Sequence, residues 1–154
     1  KWCIIHVFKN VIILTHNFLV IGLALYFCDV KLNLNAFWMV YGVIVLLINA
    51  MSFSIILSFL CTRYRDFILV IRNGMFLLFL ITPIFWMPDV LKGNRAILAD
   101  YNILFQLIQT IRDPLLGNSL STYNLLFTSS FTLFFGIFTI LIYKKYEKKF
   151  NLWI

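Results

Sequence analysis

The residue types that do chemistry are sparse and scattered in this chain. His6 and His16 stand ten residues apart, and Cys3, Cys28 and Cys61 show neither metal-ligand spacing nor a paired pattern. They read as three free thiols in or near lipid. No H-E-x-x-H pair, G-x-S-x-G elbow or Cys/His cluster occurs. No G-x-x-x-x-G-K-[ST] loop occurs either, and there are only six glycines, so the chain is not expected to be an ATPase by itself. No carboxylate falls inside a run long enough to span, whereas an ion-driven carrier usually keeps an ionisable group at the membrane midplane. The informative polar residues lie elsewhere. Asn102, Gln106, Gln109 and Asp113 recur at helical spacing, opposite a stripe of Ile97, Tyr101, Leu104, Ile108 and Ile111. Arg63, Arg65 and Arg72 cluster around the end of one apolar run and the start of the next.

The elements that must position these residues follow from composition. Of 154 residues, 62% are hydrophobic and 12% are charged, with a mean hydropathy of +0.94. A soluble domain is about half apolar and about a quarter charged, and a small one buries only part of its surface. That excludes a disordered chain, a disulfide scaffold and a typical soluble enzyme. An integral membrane protein remains. The net charge of +7 sits between apolar runs, chiefly in Arg63-Tyr64-Arg65 and Lys144-Lys145-Tyr146-Glu147-Lys148-Lys149, rather than along one soluble face. This is the pattern of membrane orientation and not of nucleic-acid binding.

Four runs approach the ~20 residues that a helix needs to cross the hydrocarbon core. They cover about 11–28, 36–61, 67–87 and 123–143. None alternates in polarity as barrel strands do. The fold expected is therefore an all-α integral membrane protein with four transmembrane helices in one domain over 1–154. One group of loops holds Lys1, Lys9, Arg63, Arg65, Lys144, Lys145, Lys148 and Lys149, with Arg72 just inside the third run. The other holds Lys31, Lys92, Arg95 and Arg112, offset by Asp29, Asp89, Asp100 and Asp113. Nine basic residues against four put the first group, and both ends of the chain, in the cytoplasm. Trp38, Trp86 and Tyr123 then fall near the outer boundary, where interfacial aromatics belong.

Residues 88–117 make the least ordinary stretch. Pro88, Gly93 and Asn94 mark a turn. The apolar segment Ile97–Ile111 is too short to span. It is expected to be an interfacial or re-entrant helix that buries its apolar stripe and turns Asn102, Gln106 and Gln109 toward water or substrate. Pro114 and Gly117 should end it. Pro83 should kink or end the third span. Asn49, Ser52, Ser54 and Ser58 read as helix-packing contacts. His16-Asn17 reads either as an interhelical bond near Thr15 or as a contact with a headgroup or subunit. Arg72 can snorkel to the cytoplasmic boundary.

The order and spacing of these marks resemble the membrane subunit of polysaccharide-exporting ABC transporters, the permeases for O-antigen, capsule and teichoic acid. The matching residues are Arg63-Tyr64-Arg65-Asp66 after one span and Thr82-Pro83-Ile84-Phe85-Trp86 ending the next. Asn102 followed by Arg112-Asp113-Pro114-Leu115-Leu116-Gly117 also matches, as does His16-Asn17 in the first run. The chain departs from the family at Asn102-Ile103, where Asn-Pro is usual. The resemblance covers essentially the whole chain. It implies a piece carrying the third to sixth spans of six, with an N-terminal part missing. It further implies a homodimer of permeases in the bacterial inner membrane, bound to separate ATPase subunits that hold the ATP. The substrate implied is a lipid-linked glycan moved outward.

Under that resemblance Trp86, Tyr101, Asn102, Gln106 and Gln109 would line or gate the exit path, through aromatic faces and hydroxyl-binding amides. Arg63, Arg65 and Arg72 would meet an anionic lipid headgroup at the inner boundary. No cofactor or metal is expected in the chain itself. The alternatives are an ABC permease for a drug or small lipid, and a membrane scaffold without transport.

Overall fold

Three of the expected spans form helices at least as long as predicted. The computed structural model describes residues 2–27, 34–82 and 101–150. Helix α1 covers Trp2–Phe27, α2 covers Trp38–Arg63, α3 covers Phe67–Ile81, α4 covers Ile103–Leu115 and α5 covers Thr122–Phe150. A 3₁₀ turn, Leu34–Phe37, leads directly into α2. Three segments are each long and apolar enough to cross a membrane: Ile4–Phe27 in α1, Asn35–Arg63 in the 3₁₀ turn together with α2, and Thr122–Glu147 in α5. Each is an apolar run free of internal proline, so nothing interrupts the i to i−4 ladder. Helix α5 continues past Tyr143 through Lys144 and Lys145, so the start of the basic tail is helical.

The third run differs from expectation. Described as helix over 15 residues, α3 is about 22 Å long at 1.5 Å per residue, short of a ~30 Å hydrocarbon core. Its end has a local cause. Thr82 turns extended, with ψ 128°, as the residue before a proline must, and its hydroxyl donates back to the Leu78 carbonyl at 2.7 Å. Residues 83–100 lie outside the described residues, and with them Trp86, Pro88, Gly93, Asn94 and Ile97.

Helices α2 and α5 run parallel, side by side. Tyr41 meets Ser129, Asn49 meets Thr132, Phe53 meets Phe135 and Phe59 meets Tyr143, so the contacts advance in the same direction along both helices. Helix α4 lies along α2 in the opposite direction. Its Leu104, Leu107 and Ile108 share a cavity with Leu46, Asn49, Ala50 and Phe53, while its Thr110 meets Gly42. Helix α3 turns back from α2 through Tyr64–Asp66, and its Met75, Leu78, Phe79 and Thr82 line that same cavity. The short helix is therefore packed lengthwise against α2.

The interior is polar and the exterior apolar. Among the described residues the buried apolar side chains of the core are Val45, Phe105 and Leu107. Asn49, Ser52, Gln106, Thr110, Asn124 and Thr128 are buried too. Most leucines, isoleucines and phenylalanines of α1, α3 and α5 point outward. A bilayer favours this arrangement, because lipid solvates the apolar surface while polar groups satisfy one another inside.

Candidate functional site

Helix α4 is built by its polar residues. Asn102 caps it: extended at ψ 110°, its Oδ1 accepts from the Leu104 and Phe105 amides at 3.0 and 3.3 Å. Gln106, one turn on, is only 3% exposed, and its Oε1 accepts from Nδ2 of Asn124 at 2.6 Å. The same amide group also donates to the Gln106 carbonyl at 3.2 Å. Thr110 is fully buried and donates to the Leu107 carbonyl at 2.7 Å. Pro114, also buried, sits in the last turn and lacks the N–H that would bond the Thr110 carbonyl. That carbonyl faces Gly42 of α2. Gly117, at φ 81°, closes the helix in the left-handed region, and its carbonyl accepts from Asn35 Nδ2 at 3.2 Å.

This reverses the orientation predicted from the stripe. Gln106 faces the bundle, whereas Tyr101 is 70% exposed and Ile108 is exposed. Asn102 and Gln109 are half-buried, as are Leu104 and Ile111. The reason is the polar interior, in which α4 buries the face carrying Gln106 and Thr110 beside Phe105 and Leu107, and leaves Tyr101 and Ile108 outside. Asp113 stands beside Gln109 and Arg112. Partial burial raises its carboxyl above the usual carboxylate range, while the Arg112 charge and a bond from Gln109 pull it back.

The three arginines stand along the α2–α3 connection: Arg63 ends α2, Arg65 lies in the turn to α3, and Arg72 is exposed one turn into α3. Arg63 also lines a groove of about 740 Å³ between the C-terminal halves of α2 and α5, whose opposite wall carries Lys145. The guanidinium lies 5.3 Å from the centre of the Tyr64 ring, and the Lys145 ammonium lies 5.6 Å from that of Tyr146.

A second cavity, about 320 Å³, lies where α3 ends and α4 begins. Asn49 lines it at 2% exposure and uses its Nδ2 twice, toward the Val45 carbonyl at 2.8 Å and the Thr132 hydroxyl at 2.7 Å. Its Oδ1 is buried without a partner, as is Oδ1 of Asn124. His16 and Asn17 are exposed on α1, and the Thr15 hydroxyl bonds to its own helix at Val11 rather than across helices. Among the described residues no group of three or more His, Cys, Asp or Glu comes together.

Asn124, Tyr41 and Thr128 were not singled out in the sequence. The Tyr41 hydroxyl lies 2.7 Å from Ser129 Oγ and 3.2 Å from Thr128 Oγ1, and these partners are more than 80 residues away in the chain. A signal did exist for α5: Asn124, Thr128 and Thr132 repeat at i, i+4 and i+8, a polar stripe on an otherwise apolar helix. Compared with protein-family models, curated proteins and solved structures, the chain matches none.

Proposed function

We propose that this chain is the transmembrane subunit of an ABC exporter that moves a lipid-linked polysaccharide outward across the bacterial inner membrane, powered by a separate ATPase subunit. The observation that carries the reading is where the family-like motifs fall. Arg63-Tyr64-Arg65-Asp66 makes the turn between α2 and α3, Thr82 before Pro83 ends α3, and Asn102 and Pro114–Gly117 bound α4. In this reading α4 is a re-entrant helix near the exit, and exposed Tyr101 together with Trp86 offers the aromatic faces that a passing sugar needs. Gln106 and Asn102 hold that helix in place, and Arg63, Arg65 and Arg72 sit at the inner boundary. The working unit is a homodimer of permeases with two ATPase subunits, and both ends of the chain are cytoplasmic.

The test uses the full-length protein in its native cells. Affinity purification from membranes should retain an ATPase carrying a phosphate-binding loop. Trp86→Ala with Tyr101→Ala should lower surface glycan while membrane insertion and ATPase retention persist. No retained ATPase, with surface glycan unchanged in a deletion strain, would overturn the reading in favour of a scaffold. A retained ATPase with unchanged glycan would point to a small-molecule exporter.

A further inference from the structure

The two walls of the 740 Å³ groove carry the same pattern. On α2, Ile56, Phe59, Leu60 and Arg63 fall at i, i+3, i+4 and i+7. On α5, Phe138, Leu141, Ile142 and Lys145 repeat that spacing. Because α2 and α5 are parallel, both cations come to the same end, each beside a tyrosine, and both apolar stripes lead away from it into the span. The groove is thus amphipathic along its length, with two positive groups at one end and only apolar side chains beyond. The nearby carboxylate of Glu147 accepts a bond from the Tyr143 hydroxyl at 3.3 Å.

We infer that this groove holds an anionic phospholipid, with its phosphate between Arg63 and Lys145 and its acyl chains against the two stripes. Charge complementarity selects the headgroup: a guanidinium bonds phosphate oxygens in a fork, and an ammonium adds a second point charge. The apolar length selects a lipid over free phosphate, which would leave the stripes uncovered. A zwitterionic lipid brings its own cation to a doubly positive mouth. The volume suits a ligand of this class, within the ~300–1,000 Å³ of ordinary small-molecule sites. Such a lipid would bridge α2 and α5 at that end of the pair.

The experiment counts lipid bound to the purified full-length protein by native mass spectrometry, titrating phosphatidylglycerol and phosphatidylcholine separately. Phosphatidylglycerol should bind with clear preference. Arg63→Gln with Lys145→Gln should weaken it about 30-fold, at roughly five- to sixfold per lost charge. Lys144→Gln removes a neighbouring exposed charge outside the groove and should change nothing. Leu141→Trp fills the apolar stripe with both cations kept, and it should also weaken binding. Equal binding of the two lipids, or undiminished phosphatidylglycerol on the double variant, would overturn the inference. So would equal loss with Lys144→Gln, which marks a diffuse surface charge. The probe carries no glycan and no ATPase is present, so the outcome is independent of the transport reading.

Discussion

The Thr110 carbonyl of α4 presses on Gly42 of α2: a methyl group at Gly42 would stand 2.7 Å from that oxygen and 2.8 Å from Cγ1 of Ile111. The contact joins two peculiarities. Pro114 supplies no N–H to the Thr110 carbonyl, and Gly42 offers no side chain in front of it. The close approach allows a weak Cα–H···O contact of the kind found between helices. Gly42→Ala should therefore push the helices apart and lower the thermal unfolding temperature of the purified protein, at a cost of about 1–3 kcal/mol. Gly136→Ala is the comparison, since a methyl there meets nothing within 4 Å, and it should leave stability unchanged or slightly raised.

Gln106 and Asn124 form a buried pair, so losing one partner should cost more than losing both. Gln106→Leu removes the 2.6 Å acceptor of the Asn124 amide, leaves it only the 3.2 Å bond to the backbone carbonyl, and should destabilise by about 1–3 kcal/mol. Adding Asn124→Leu removes the under-bonded amide, and the double variant should recover part of that loss. Chemical denaturation of the four proteins gives the coupling directly. Additive losses would show that the two side chains act separately.

The N-cap of α4 can be tested alone. Asn102→Ala removes the acceptor for the Leu104 and Phe105 amides and should cost about 0.5–2 kcal/mol, and Asn102→Asp should restore most of it. Hydrogen exchange should rise at the first turn of α4 and stay unchanged in α5.

Asp113 sets a pH dependence. Its folded-state pKa is raised, chiefly by burial, so the folded protein holds this proton more tightly than the unfolded chain does. Its contribution therefore favours folding at low pH and is lost as pH rises from about 4, the unfolded value, through the folded one. Asp113→Asn removes the ionisation penalty while an amide can still meet Gln109. The variant should be slightly more stable than the parent near neutrality, and the gap should close as pH falls toward about 4. Unfolding temperatures measured across that range check it. A variant less stable at neutral pH would show that the Arg112 attraction outweighs burial.

The long spans were legible because apolar runs near 20 residues have few other uses. Asn49 was legible as a packing residue, and its bond to Thr132 bears that out. The early end of α3 was written in Pro83, which restricts Thr82, yet counting apolar residues carried the expected span to residue 87. The orientation of α4 was not legible. A polar stripe and an apolar stripe locate two faces, but which one turns inward depends on the surroundings. Only the polar lining of α5, centred on Asn124, decides that Gln106 goes in. The groove was hidden for a similar reason. Lys145 looked like one charge in a basic tail until the α2–α5 register set it opposite Arg63.

The parallel course of α2 and α5 fixes a parity. Two neighbouring rods that point the same way require the chain between them to traverse the same thickness an odd number of times. The described chain makes that return in two instalments, α3 at about 22 Å and α4 at about 20 Å, which together match the ~39 Å of α2. They share the cavity beside Asn49. The two instalments are anchored unequally. Helix α4 is tied to α5 through Asn124 and clamped on α2 at Gly42, whereas α3 has no buried residue along its length. The return pass is therefore held unevenly: a polar seam and a close backbone contact fix α4, while α3 rests on mostly exposed apolar side chains.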